Sequence, residues 1–141
     1  MREGIGLYRG KRKDNGEWVY GYLGVFKGIW QIFVPFTEEE EKANEGHIFS
    51  AIGGLWYTVF PESVGEYTGL PDKNGKKIFE GDILKGAWET IFQVVYDDCY
   101  LGFRAKEKDG MHNCIDYYGF DCIEVIGNIH DNSELLQNTA N

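Results

Sequence analysis

The chain of 141 residues has no apolar run approaching the roughly 20 residues needed to cross a bilayer as a helix. No membrane association is therefore expected. It has only three prolines, too few for a Pro-rich linker. Its three cysteines, Cys99, Cys114 and Cys122, lie 15 and 8 residues apart, and neither gap matches the close pair of a zinc knuckle. An odd count, with no signal-peptide pattern after Met1, reads as free thiols in a reducing cytoplasm. Cations are scarce as well: 14 Lys and Arg stand against 23 Asp and Glu, a formal net charge of -9. Duplex binding draws on clustered cations and counterion release, so general nucleic-acid binding is disfavoured. Two local basic turns remain. Lys11-Arg12-Lys13 is one, and Lys73 with Lys76 and Lys77 is the other. They are surface binding candidates, set against the plainer reading of solvated turns.

What the chain does have is rings and glycine. Nine Tyr, nine Phe and four Trp give it enough apolar surface to bury and fold. Most segments read as strands: Glu17–Leu23, Ile29–Val34, His47–Phe49, Leu55–Phe60, Ile78–Glu80, Ile83–Lys85, Thr90–Tyr96, Leu101–Glu107, Met111–Tyr118 and Cys122–Ile129. Asp109-Gly110 supplies the backbone angles of a tight hairpin turn. Thr37 with Glu40 forms a capping box, so a short exposed helix is expected near 38–44, with Gly46 as its stop. A second short helix is expected near 132–138. The expected fold is mainly β, a β-dominated α+β arrangement of antiparallel sheets or two small barrel-like lobes. The lobe boundary is placed near Pro61–Ser63, giving 1–61 and 62–141. A weak echo, Tyr8-x-Gly10 before Asn15-Gly16 and Tyr67-x-Gly69 before Asn74-Gly75, reads as two convergent turns rather than a duplication.

Catalytic and cofactor patterns are mostly missing. Gly69 to Lys76 has five residues, not four, between its glycines, and Lys77 stands where a phosphate loop needs Ser or Thr. Asp72-Lys73-Asn74-Gly75 opens like a calcium loop, but Lys77 and Ile83 occupy the positions that require Gly and Glu. Ser50, Ser63 and Ser133 lie outside any nucleophile elbow. On a strand, His112, Cys114 and Asp116 would share one face, as a metal-binding edge, an activated thiol or simply a half-buried surface. Asp97-Asp98, Asp116 with Asp121, and Glu80 with Asp82 are carboxylate pairs that read most simply as turn residues. No cofactor or metal is expected. Trp18, Tyr20 and Tyr22 fall on one strand face, Val19 and Leu23 on the other. If one face is core and the other stays uncovered, the uncovered one is a docking surface.

The run Gly65-Glu66-Tyr67-Thr68-Gly69-Leu70-Pro71-Asp72-Lys73-Asn74-Gly75-Lys76-Lys77-Ile78-Phe79-Glu80-Gly81-Asp82-Ile83-Leu84-Lys85 resembles the YopX family of small bacteriophage and prophage proteins. Trp18–Leu23 and Val125–Leu136 agree with it, so the resemblance covers nearly the whole chain. It implies a mostly β protein of phage or prophage origin acting in the bacterial host cytoplasm. It brings no activity and no catalytic residues. Within the motif, Tyr67, Gly69, Asp72, Asn74, Gly75, Gly81 and Asp82 read as fold determinants. The leading functional expectation is a non-enzymatic accessory protein that binds a host or phage protein, or a second copy of itself. The alternatives are a nucleic-acid-binding small β-barrel, an acidic mimic of DNA using Glu38 to Glu41, and an unrecognised enzyme using Asp97, Asp98, His112 or Cys114.

Overall fold

A computed structural model describes residues 4–43, 45–46, 53–119 and 121–137. The chain divides into two compact units, with the break between Glu66 and Tyr67.

The N-terminal unit is built from β1 (Leu7–Lys11), β2 (Trp18–Phe26), β3 (Ile29–Pro35) and β4 (Gly54–Thr58). The start of β5 (Gly65–Pro71) completes it. All neighbours are antiparallel, in the order β4-β3-β2-β1-β5. The β2–β3 turn is Lys27-Gly28, with φ of 51° and 77°. Two positive angles in a row twist the turn the way the strands twist, which keeps the hairpin flush. Alternation along the strands sends Gly10, Gly21, Ile32 and Val59 inward, where all four are buried. Gly21 is dictated by space: a Cβ there would lie 2.0 Å from the Phe33 carbonyl oxygen. At its far end β1 is tied back toward β4. Arg12 bridges Val59, Phe60 N–H donates to the Lys11 carbonyl at 2.9 Å, and Lys13 N–H donates to that of Thr58 at 3.0 Å.

Between β3 and β4 lies α1 (Glu38–Ala43), a helix with no buried residue. Its capping box is reciprocal: Glu40 N–H donates to Thr37 Oγ1 at 3.2 Å, and Thr37 N–H to Glu40 Oε1 at 3.1 Å. The expected strand at His47–Phe49 lies outside the described residues.

In the C-terminal unit the rest of β5 pairs with β6 (Lys77–Phe79). A five-stranded antiparallel sheet follows, in the order β10-β9-β8-β7-β11. Its strands are β7 (Asp82–Lys85), β8 (Ile91–Asp97), β9 (Gly102–Glu107), β10 (His112–Asn113) and β11 (Glu124–Asn128). Ile78, Leu84, Phe92, Val94, Ala105, Ile115, Tyr118 and Ile123 form its core, with Phe92 and Tyr118 stacked at 4.4 Å. Two carboxylates fix the turns around this core. Asp72 accepts the Asn74 and Lys76 N–H groups on Oδ1, at 2.8 and 2.9 Å, and the Val125 N–H on Oδ2 at 3.0 Å. Asp82, buried after Gly81 at φ 92°, accepts the Phe79 N–H at 2.8 Å.

The molecule is therefore mostly β, with two antiparallel sheets and short helices. Among the described residues neither sheet closes into a barrel. One expected strand is corrected. Met111–Tyr118 is a two-residue strand, His112–Asn113, followed by a 3-10 turn at Ile115–Tyr118. The second expected helix is a 3-10 turn over Ser133–Leu136.

Candidate interaction surface

In the N-terminal sheet the pleat separates two unlike faces. The inner one holds Ile32 and Val59. On the outer one, the register aligns Leu7, Tyr22, Phe33 and Trp56 in a single row across β1, β2, β3 and β4. Tyr20 precedes Tyr22 on that face, and Phe26 and Ile29 follow where β2 turns into β3. Five of these side chains stay in solvent. Tyr20 and Tyr22 are each about half exposed, Trp56 is 52% exposed, Ile29 52% and Phe26 72%.

Trp56 is held rather than dangling. Its ring lies 5.0 Å from that of Phe33, tilted by 42°. It also reaches over Gly24, where a Cβ would stand 2.9 Å from Cζ3 and 3.0 Å from Cη2. A glycine on β2 thus makes the seat for an indole on β4. An aromatic ring already fixed in place loses little freedom when a partner covers it.

The four strands contain no Asp or Glu; Arg9 and Lys11 are their only charged residues. Both belong to the outer face and lie over the Trp18 ring, at 4.8 and 5.5 Å. Lys27, exposed in the β2–β3 turn, lies over Phe26 at 5.6 Å. Arg9 is itself buried, at 5% exposure, so this face of a chain of net charge -9 is aromatic and apolar, with Lys11 half-buried and Lys27 exposed at its edge.

The basic candidates are placed as follows. Lys11, Arg12 and Lys13 share the N-terminal unit. Arg12 is ion-paired with Asp14, whose carboxyl it holds below the usual value through their hydrogen bond, and it stacks over Tyr57 at 4.3 Å. Lys13 is exposed, 6.0 Å from the Phe60 ring. Lys73, Lys76 and Lys77 belong to the C-terminal unit. Lys73 pairs with Glu124 at 3.4 Å, Lys76 gives its backbone N–H to Asp72, and Lys77 lies over Tyr67 at 5.9 Å.

Of the catalytic candidates, His112 and Asp97 do meet, with Nδ1 2.7 Å from Oδ2. The bond from His112 lowers the Asp97 carboxyl against the opposing effect of burial, and the Cys99 N–H assists. Cys114 instead accepts a bond from Arg104 Nη1 at 3.2 Å, and Arg104 lies over Tyr100 at 4.2 Å. Asp116 falls in the 3-10 turn, so His112, Cys114 and Asp116 do not share a strand face. Asp98 is exposed in the turn after β8, and all three thiols are free and exposed.

Sequence reasoning missed two tryptophans. Trp56 joins the ring row only through the β3–β4 register. Trp88 protrudes 81% exposed from the β7–β8 turn, at φ 60° and ψ 27°, beside a cavity of about 340 Å³. Lys73, Lys85, Glu89, Asp121 and Glu124 also line that cavity, and Lys85 and Glu89 pair at 2.7 Å.

A family model described as "YopX protein" matches residues 7–137. Two solved structures are similar over nearly the full chain. Protein EF1440 from Enterococcus faecalis is 23% identical with a TM-score of 0.50, covering 92% of this chain and 96% of that one. Protein yopX from Bacillus subtilis is 16% identical with a TM-score of 0.53, covering 99% of this chain and 100% of that one. At these identities the likeness shows the fold. No curated protein matches the chain.

Proposed function

Because this chain belongs to the YopX family, whose match spans residues 7–137, and has one sheet face of exposed rings, we propose that it acts by binding protein. It is a non-enzymatic accessory protein of phage or prophage origin, working in the bacterial cytoplasm. Its contact surface is the outer face of the N-terminal sheet.

The observation that carries this reading is the exposed set Tyr20, Tyr22, Phe26, Ile29 and Trp56 on strands without a single acidic residue. Protein interfaces are enriched in Tyr, Trp, Phe and Arg and depleted of Asp and Glu at their centres. A Trp in a preformed seat is the usual kind of anchor. The nearby Lys11, Lys13 and Lys27 suit a partner surface with acidic edges. A nucleic-acid partner is supported less well. The six basic candidates divide between two units, and Arg12 and Lys73 already face Asp14 and Glu124.

The test compares the wild type with Trp56→Asp as baits in lysate of infected host cells, with and without nuclease. The reading expects a protein that survives nuclease and is lost with Trp56→Asp. Identical capture by both baits, or capture abolished by nuclease, contradicts it.

A further inference from the structure

The C-terminal unit holds a site that does not depend on the ring face. We propose that the cavity beside Trp88 binds a small organic cation, an alkylammonium or guanidinium ion, through the Trp88 ring and the Asp121 carboxylate.

The loop that carries the ring is tied at both ends. Gly86 N–H donates to the Thr90 carbonyl at 2.8 Å, and Thr90 N–H to that of Ala87 at 3.2 Å. The base of the loop rests on the core, where a Cβ at Gly86 would stand 2.6 Å from Tyr118 Cβ. Between these ties Trp88 and Glu89 both take positive φ, 60° and 59°. Two consecutive non-glycine residues in the left-handed region are uncommon, and such backbone persists where the surroundings fix it. The loop therefore holds the indole out, 81% exposed. Among the described residues Trp88 has no ring partner and no side-chain hydrogen bond. Neither burial nor bonding within the chain accounts for a tryptophan there, whereas a ligand laid on its face does.

Charge selects the class of ligand. The cavity of about 340 Å³ is lined by two cations, Lys73 and Lys85, and three carboxylates, Glu89, Asp121 and Glu124. Lys73 pairs with Glu124 at 3.4 Å and Lys85 with Glu89 at 2.7 Å. Both lysines thus have a carboxylate already, and an entering anion would compete with it. Asp121 is left over: exposed, and without an ion pair or side-chain hydrogen bond among the described residues. An indole face attracts cations through its quadrupole, more strongly than the other aromatic rings do. A free ring and a free carboxylate on one cavity suit a positive charge on an apolar body. The volume lies at the small end of ligand pockets, which fits a free small molecule rather than a segment of polypeptide.

Titration of the full chain with choline and with N-ethylguanidinium, at constant ionic strength, tests this by NMR of the tryptophan indole N–H signals and of the backbone amides of the loop. The Trp88 signal is identified by its loss in Trp88→Gly, a change that suits the positive φ and removes the ring without disturbing the fold. Both cations are expected to shift the Trp88 signal saturably while those of Trp18, Trp30 and Trp56 stay in place. A ligand held this loosely leaves on dilution, so Trp88 is open to solvent in protein isolated without it. The neutral isostere of choline, 3,3-dimethylbutan-1-ol, is expected to bind roughly 10-fold more weakly or worse. Asp121→Asn, read on the Trp88 signal, and Trp88→Gly, read on the loop amides, are expected to weaken both cations by a similar factor. A capped Ala-Lys-Ala peptide separates a free cation from a basic side chain of a partner, and is expected to bind no tighter than choline. No saturable shift with either cation overturns the inference, as does equal binding of the neutral isostere. So does affinity unchanged in both variants, or a peptide that outcompetes the free cations. None of these results bears on the N-terminal ring face, and failure of that reading leaves this site standing.

Discussion

Asp72 shows how much one residue fixes. Its carboxylate gathers three backbone N–H groups, two from its own turn and one from β11, 53 residues away. Burial alone pushes such a carboxyl upward, but the N–H groups of Val125, Lys76 and Asn74 outweigh it and hold Asp72 below the ordinary carboxylate range. A depressed folded-state value means that the stabilisation is present above the unfolded value and lost as pH falls through the folded one. Asp72→Asn replaces one acceptor oxygen with an N–H₂ donor, leaving a donor facing a donor. It is expected to cost about 1–3 kcal/mol in urea unfolding at neutral pH. Below about pH 4 its stability is expected to depend less on pH than that of the wild type. Equal stabilities at neutral pH, or equal acid profiles, contradict this role. The turn itself was legible in the sequence, since Asp and Asn-Gly are what such turns select. The tie to Val125 was not, because no local pattern signals a bond across so long a separation.

At the scale of elements, strand β2 carries two glycines with opposite duties. Gly21 faces inward against the backbone of Phe33, which has no room to yield. Gly24 faces outward under the ring tips of Trp56, which can swing away. Gly21→Ala is therefore expected to destabilise by about 3 kcal/mol or more. Gly24→Val is expected to leave stability within about 1 kcal/mol, since valine suits a strand, while it unseats Trp56 and shifts its fluorescence. Thermal unfolding and emission spectra distinguish the two, and the reverse ranking sinks the assignment of faces. The sequence reads these strands well: β2 and β3 appear as aromatic runs around Gly28, and α1 through its capping box. It misreads Met111–Tyr118, and the reason is periodicity. Ile115 and Tyr118 are both buried in the C-terminal core. Three residues apart, they share a side on a 3-10 turn but fall on opposite faces of a strand. The stack of Tyr118 on Phe92 decides for the turn. Trp56 escaped notice for a related reason. Leu55, Trp56, Tyr57 and Val59 are apolar in both parities, so only pairing with β3 tells which ring faces out.

At the scale of the whole molecule, the acidic composition hides an uneven distribution. Net charge spoke against nucleic acid from the start, yet the chain's average conceals a patch of exposed rings on strands that carry no acid. Composition has no geometry, so the patch becomes visible only when four strands are aligned. The central claim is that this face is covered by protein in the working state. Residue-resolved hydroxyl-radical footprinting of the wild-type protein, purified alone and as the assembly isolated from infected-cell lysate, tests it most directly. Trp88, exposed on the other unit, is the internal reference. Oxidation of Trp56, Tyr20 and Tyr22 is expected to fall in the isolated assembly while Trp88 is unchanged. Rings that react equally in both states would contradict the account.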